Sequence, residues 1–467
     1  MVFRLQDNVA LRSWKSVDRA LVFRYADRAL PVCKEEWEAL LRCDGLSEQD
    51  TSPVLQSLLQ KGYIEECEKG HLNSEWSNLK TYDNPYFPRL NLMVTGKCNL
   101  NCLHCFNAKD NAPLNSEWDY QELLSLLDQA KDIGILSFTL TGGEPMVHPR
   151  FLDIVKEIYR RDMSIFEINT NGFFLTQEIL DTFNSLRCHP LIKISYDGVG
   201  THNWLRQNRS AEAKTIEAIK LCVKNGFPVK AQVQVHRKNV HTMMDTARLL
   251  SSLGVAKMRV IRTTEAPRWE LTSPDSSLPI LEYYDKMLEF AKRYQEEEIP
   301  MELDIWQFLR LFPKHKIYSI VPIASCPESF HLHIPLCRDV RSMVAISSDG
   351  QVVPCLQMSG WFAERGICLN NVKDTPLKEI VSRSDYSALA LATVFHRLVA
   401  NPKCPACPYF KYCLGGCPAL GLLSSGENRD YFHEDYTKCL FFENGYYDKI
   451  VETFSSWKEE NPMKERP

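Results

Sequence analysis

No stretch of this chain of 467 residues approaches the ~18 consecutive apolar residues that a membrane-spanning helix needs. The first residues, MVFRLQDN, carry charge at once and contain no apolar run of the kind a secretory signal uses, so the expected location is the cytoplasm. A basic excess is also missing. The formal charge of -4 gives no general attraction to nucleic acid or anionic membrane, and neither is expected as a partner. Low-complexity segments are absent.

Cysteine, by contrast, is plentiful. Disulfides are rare in a reducing compartment, so 17 cysteines point instead to metal ligation or redox chemistry. They are also clustered. Three fall in KCNLNCLHCF at Cys98, Cys102 and Cys105, and four fall at Cys404, Cys407, Cys413 and Cys417. Cys337, Cys355 and Cys439 flank the second group. Cys33, Cys43, Cys67, Cys188 and Cys222 sit in helical or strand patterns and are expected to be buried thiols.

Four segments are expected. Residues 1–80 read as a small winged-helix-like unit. ALRSWKSV, RALVFRYA and RALPVC are strand-like, KEEWEALLRCDG is helical with Trp37, Leu40 and Leu41 on one face, and TSPVLQSLLQKG is a second helix. In that second helix Ser52 serves as N-cap, Pro53 as the first helical residue and Gly62 as the stop. YIEECEKGHL forms the wing. From 81 to 315 six apolar, strand-like runs alternate with helical patterns, which argues for β/α units around a parallel sheet. KCNLNC, GGEP, NTNG and YDG all follow strands, at the ends where such folds gather function. Residues 316–450 are short strands, turns and cysteines, and 451–467 form a polar tail.

Cysteine thiolates hold iron-sulfur clusters, usually four at a time. CxxxCxxC supplies three from one loop, leaving a corner of a cubane vacant. This loop after the first strand of a β/α repeat resembles the radical S-adenosylmethionine (SAM) enzymes. The resemblance implies a partial (β/α)6 barrel in which Cys98, Cys102 and Cys105 hold a 4Fe-4S cluster that binds SAM. It implies that Gly142, Gly143 and Glu144 of TGGEP meet the SAM amino group, with Glu144 shaping the bend. Asn171 of NTNG, Ser195 of ISYDG and Arg206 fall where that family lines its SAM pocket, Ser195 and Arg206 as carboxylate contacts. Arg209 competes with Arg206, while Asn169, Asn171 and Asp197 read equally well as turn or cap residues. Val260 reads as barrel core with adenine contact as the alternative. A reduced cluster cleaves the sulfonium in such enzymes to give a deoxyadenosyl radical, so an external electron donor such as flavodoxin or ferredoxin is implied.

The order Cys337, Gly350, Cys355, then CxxCxxxxxCxxxC from Cys404, then Cys439, resembles the SPASM extension of that family. By that likeness one auxiliary 4Fe-4S cluster takes Cys337, Cys355 and Cys417, and the other takes Cys404, Cys407, Cys413 and Cys439. The fourth position of the first stays open between Cys326, Cys368 and substrate, and zinc on CPAC is the alternative occupant. Sulfatase-maturing members carry an aspartate after the second SPASM cysteine. Leu356 stands there instead, which argues against formylglycine formation.

The first unit resembles the PqqD-like RiPP recognition element, which holds the leader of a ribosomally made precursor peptide by strand addition. Its 11 Lys/Arg against 13 Asp/Glu make it a poor DNA binder. The combination implies a peptide maturase that installs a thioether or carbon-carbon crosslink. Peptide epimerisation and a radical SAM reaction on a small molecule or cofactor precursor are the alternatives.

Overall fold

The computed structural model describes residues 1–105, 116–263, 267–323, 332–359, 362, 369–425 and 430–463. Residues 1–82 build two small sheets from seven strands, β1 Val2–Leu5, β2 Val9–Trp14, β3 Val17–Phe23, β4 Leu30–Pro31, β5 Asp44–Glu48, β6 Ile64–Glu66 and β7 Lys80–Tyr82. Their orders are β5-β1-β6 and β4-β3-β2-β7. Phe3, Leu5, Leu21, Leu40, Leu55 and Leu58 bury their side chains between these strands and the helices Lys34–Leu41 and Pro53–Gln60. Ser52 caps the second helix, its side chain accepting from the Leu55 N–H, with Pro53 in the first turn.

Three details differ from the sequence reading. The first helix stops at Leu41, because Asp44–Glu48 is drawn into an antiparallel pair with β1, a strand too short to read from MVFRL. Leu41 is consequently exposed while Leu40 is buried. Cys33, expected to be buried, is exposed and its sulfur caps that helix by accepting from the Glu36 N–H.

A twelve-stranded sheet follows. Its parallel part runs in chain order through β8 Arg89–Thr95, β9 Ser137–Gly142, β10 Ser164–Thr170, β11 Leu191–Ser195, β12 Val229–Val235, β13 Lys257–Arg262 and β14 Glu302–Ile305. Alternation decides the two faces. Val229, Ala231, Val233 and Val235 are buried among the helices, while the intervening Lys230, Gln232 and Gln234 face the other way. Leu123, Leu126, Leu127 and Ala130 of the helix Tyr120–Asp132 bury one stripe against the sheet.

The sheet does not end with the six expected units. On the far edge β15 Leu309–Phe312 and β16 Ile317–Ile320 turn back antiparallel, and β19 Lys458–Glu459 pairs with β16. On the near edge β17 Met343–Ile346 lies parallel to β8, with β18 Val352–Val353 antiparallel to β17. Residues on both sides of the expected boundary at 315/316, and part of the expected tail, therefore share one sheet.

The small unit is fastened to this sheet by Trp14. Its buried ring stacks on Tyr82 and meets Tyr86 at a tilt, and its Nε1 donates to the Ile133 carbonyl at 3.2 Å. Arg341 reaches across from the C-terminal region to the Tyr86 carbonyl and the Ser16 hydroxyl, at 2.8 and 3.1 Å.

Candidate active site

The cysteine loop leaves the C-terminal end of β8. Backbone hydrogen bonds shape it: Leu100 N–H approaches the Cys98 sulfur at 3.4 Å and Leu103 N–H donates to the Leu205 carbonyl at 3.0 Å. Cys102 is buried and Cys98 exposed. The next strand end packs directly on this loop. Gly143 N–H donates to the Thr95 carbonyl at 2.8 Å and Glu144 N–H to the Lys97 carbonyl at 3.0 Å. A side chain on Gly142 would collide with the Thr95 carbonyl, and one on Gly143 with the Gly96 and Lys97 carbonyls. Close approach of two backbones is thus why both positions are glycine.

Glu144 is fully buried and ties three loops together. Its carboxylate accepts from the Thr170 hydroxyl at 2.8 Å, the Asn171 N–H at 2.7 Å and the Met146 N–H at 3.3 Å. Asn171 in turn donates from Nδ2 to the Asn99 side chain at 2.8 Å, inside the cysteine loop. Burial pushes the Glu144 carboxyl up to about 7, against the pull of those hydrogen bonds. Asn169, two residues earlier, keeps a buried Oδ1 without a hydrogen-bond partner.

Ser195 closes β11 and is half-buried. Arg206 lies inside the site and Arg209 on the surface, which separates the two candidates. The Arg206 Nε donates to Asp197 at 2.7 Å and its Nη1 lies 3.5 Å from the Cys102 sulfur. Asp197 is more than a turn residue. It also sits 3.2 Å from His202 Nδ1 and accepts from the Gln234 N–H at 3.1 Å. Burial alone would raise its carboxyl, but the Arg206 charge and the His202 contact hold it well below the usual carboxylate range. Val260 is buried in the main core.

Sequence reasoning missed Asn99, the Asp197–His202 pair and His104. His104 is half-buried within the cysteine loop with its Nδ1 turned inside, and desolvation together with the Arg206 charge pushes its imidazole down to about 3. The available signal was the helical spacing of His202 and Arg206 after YDG, five and nine residues beyond Asp197.

Below these loops the concave face of the sheet is charged. Glu167 receives Lys193 at 2.7 Å and Lys230 at 3.4 Å, while Asp304 faces Arg259 and Arg310 at 3.8 and 3.3 Å. Burial pushes Lys230 down to about 8. The two lysines, outweighing the burial of the carboxyl, hold Glu167 down at about 2.

The second cysteine set falls into two groups. Cys404, Cys407, Cys413 and Cys439 line one cavity of about 190 Å³ with Phe410 and Lys438. Cys417 lies apart from that lining, near Cys337, Cys355 and the buried Tyr431. Burial pushes the Cys413 and Cys417 thiols up to about 12, so ligation must supply what ionises them. Cys326 and Cys368 lie outside the described residues. Among the described residues no group of three or more His, Cys, Asp or Glu side chains is placed to hold a single metal ion. A cubane is larger than one ion and takes its thiolates from around a cavity, which the four-cysteine cavity fits.

Comparison with known proteins agrees with this arrangement. Residues 92–250 match the Radical SAM superfamily, and residues 337–408 match SPASM, an iron-sulfur cluster-binding domain. The chain is a radical SAM/SPASM enzyme, an α/β partial barrel with a small N-terminal sheet module and a C-terminal cysteine-rich region. Its cofactors are a 4Fe-4S cluster and SAM, with auxiliary iron-sulfur clusters in the SPASM region. The AdoMet-dependent heme synthase of Methanosarcina barkeri is 25% identical over 74% of this chain and 95% of its own length. The PqqA peptide cyclase of Gluconobacter oxydans is 26% identical over 72% of this chain and 87% of its own. The crystal structure of Streptococcus suis SuiB bound to its precursor peptide SuiA superposes with a TM-score of 0.61 at 13% identity. That match covers 92% of this chain and 100% of SuiB, so it extends into residues 1–80. No helix among the described residues is long and apolar enough to cross a membrane.

Proposed function

We propose that this enzyme is a peptide maturase that crosslinks a ribosomally made precursor. The observation that carries the reading is the N-terminal module. The heme synthase match uses 95% of that enzyme yet leaves about a quarter of this chain unmatched, whereas the SuiB match covers 92%. A small-molecule enzyme gives the extra module nothing to do; a leader peptide does.

In this reading the leader pairs with the outer edge of β4, where Leu30 is exposed. The core peptide then enters the open side of the barrel, toward the C-terminal strand ends that carry the cysteine loop. Cys98, Cys102 and Cys105 hold the SAM-binding cluster. Gly142, Gly143, Glu144, Asn171, Ser195 and Arg206 form the SAM pocket, with Glu144 bracing the bend and Asp197 fixing Arg206. When bound, cluster and SAM supply one-electron cleavage of the sulfonium and hydrogen abstraction from an unactivated carbon. Cys404, Cys407, Cys413 and Cys439 would hold one auxiliary cluster and Cys337, Cys355 and Cys417 the other, groups that would supply one-electron redox capacity beside the substrate. Flavodoxin or ferredoxin serves as the external donor.

The test is anaerobic incubation with reductant, SAM and the precursor encoded beside the gene. Methionine, deoxyadenosine and a peptide lighter by ~2 Da are expected, from loss of two hydrogens. An unchanged peptide mass with SAM consumed favours epimerisation. Turnover that ignores the leader favours the second reading, a small-molecule reaction like that named for the Methanosarcina barkeri relative.

A further inference from the structure

Arg397, in the helix Val394–Ala400, is completely buried in the C-terminal region. Its Nη1 donates to the Gly415 carbonyl and, at 2.9 Å, to the Gly416 carbonyl. Its Nε and Nη2 are buried with no hydrogen-bond partner among the described residues. A guanidinium cannot shed its charge as lysine can, so an interior position with unused N–H groups is strongly disfavoured unless negative charge stands opposite. Asp435 is the nearest acid, but its oxygens are already engaged by the Cys417 N–H at 3.0 Å and by the Thr437 N–H and hydroxyl at 3.0 and 2.6 Å.

The location explains what the remaining N–H groups are for. Gly415 and Gly416 are the links between Cys413 and Cys417, one from each proposed auxiliary set. Cys404 and Cys417 both act on the Arg397 charge, and Arg397 acts on Cys337. The side chain is packed into place, since a Cβ on Gly415 would overlap its Cδ. Hydrogen bonds to cluster sulfurs and local net charge set iron-sulfur potentials.

We propose that Arg397 is a positioning residue between the two auxiliary clusters, donating its unused N–H groups toward them and raising both reduction potentials. The proposal rests on the assignment of the two cysteine sets to two clusters made above.

The experiment uses the full chain, reconstituted anaerobically with iron and sulfide and without substrate, in a potentiometric titration followed by electron paramagnetic resonance. Arg397→Gln should lower both auxiliary midpoints by at least a tenfold change in the reduction equilibrium, ~59 mV for one electron. The Cys98/Cys102/Cys105 cluster should not move, and Arg397→Lys, a cation that the buried site can partly deprotonate, should fall between the parent and Arg397→Gln. Full iron in Arg397→Gln with unmoved midpoints would overturn the proposal. So would loss of auxiliary iron from both variants, which would assign Arg397 to clamping the two glycine carbonyls alone. A parent chain with a single auxiliary cluster would overturn the two-cluster assignment, and this inference with it.

Discussion

The Asn171 backbone N–H donates to the buried Glu144 carboxylate at 2.7 Å, joining the turn after β10 to the bend after β9. Through Asn171 and Asn99 that contact reaches the cysteine loop, so one carboxylate organises three strand ends. Removing it in Glu144→Ala leaves the Thr170, Asn171 and Met146 donors buried and unpaired, each costing ~1–3 kcal/mol. SAM cleavage, measured as deoxyadenosine release, should fall at least tenfold, with a lower melting temperature.

The same carboxyl gives a pH dependence. Its folded pKa of about 7 stands above the ordinary 4.5, so the folded chain binds the proton more tightly than the unfolded chain. The Glu144 contribution to the stability of the cluster-free protein should therefore be fully present below pH ~4.5, be lost as pH rises through about 7, and stay lost above it. Glu144→Gln cannot ionise and should lack this component, which parallel thermal melts across that range would read.

Much of this site was legible from the sequence, and the reasons are physical. Short motifs at strand ends, KCNLNC, GGEP, NTNG and YDG, mark where a parallel sheet presents its loops, and the structure brings the first three into one hydrogen-bonded unit. Asp197 was ambiguous because an aspartate before glycine suits any turn. Only the fold shows Arg206 returning to it from nine residues on. The edges of the sheet were illegible for another reason. β17 is a short run whose strand character comes from pairing with β8, a contact spanning some 250 residues that no local pattern records, and β18 in turn pairs only with β17.

Asp197→Ala should be more damaging than a surface change. It strands the buried Arg206 charge, a loss of about 3–5 kcal/mol by analogy with other broken buried pairs. Chemical denaturation should show the drop. Asp197→Asn, which keeps the shape and loses the charge, should fall between the two.

Trp14→Ala tests how the N-terminal module is held. Truncating a buried tryptophan typically costs ~3–5 kcal/mol, and here it also removes the donor to the Ile133 carbonyl. SAM cleavage without peptide should persist while modification of the precursor declines. Deleting residues 1–80 is a poorer experiment, because it would bare the surface against which Trp14 packs.

The central claim is a cluster held by Cys98, Cys102 and Cys105 with one iron left for SAM, and spectroscopy of the anaerobically reconstituted chain tests it most directly. The account predicts that added SAM changes the resonance of a single 4Fe-4S cluster, and that the change disappears with the triple replacement of those cysteines by alanine while auxiliary iron stays. A spectrum unmoved by SAM in the parent chain, or a SAM response that survives the triple replacement, would contradict it.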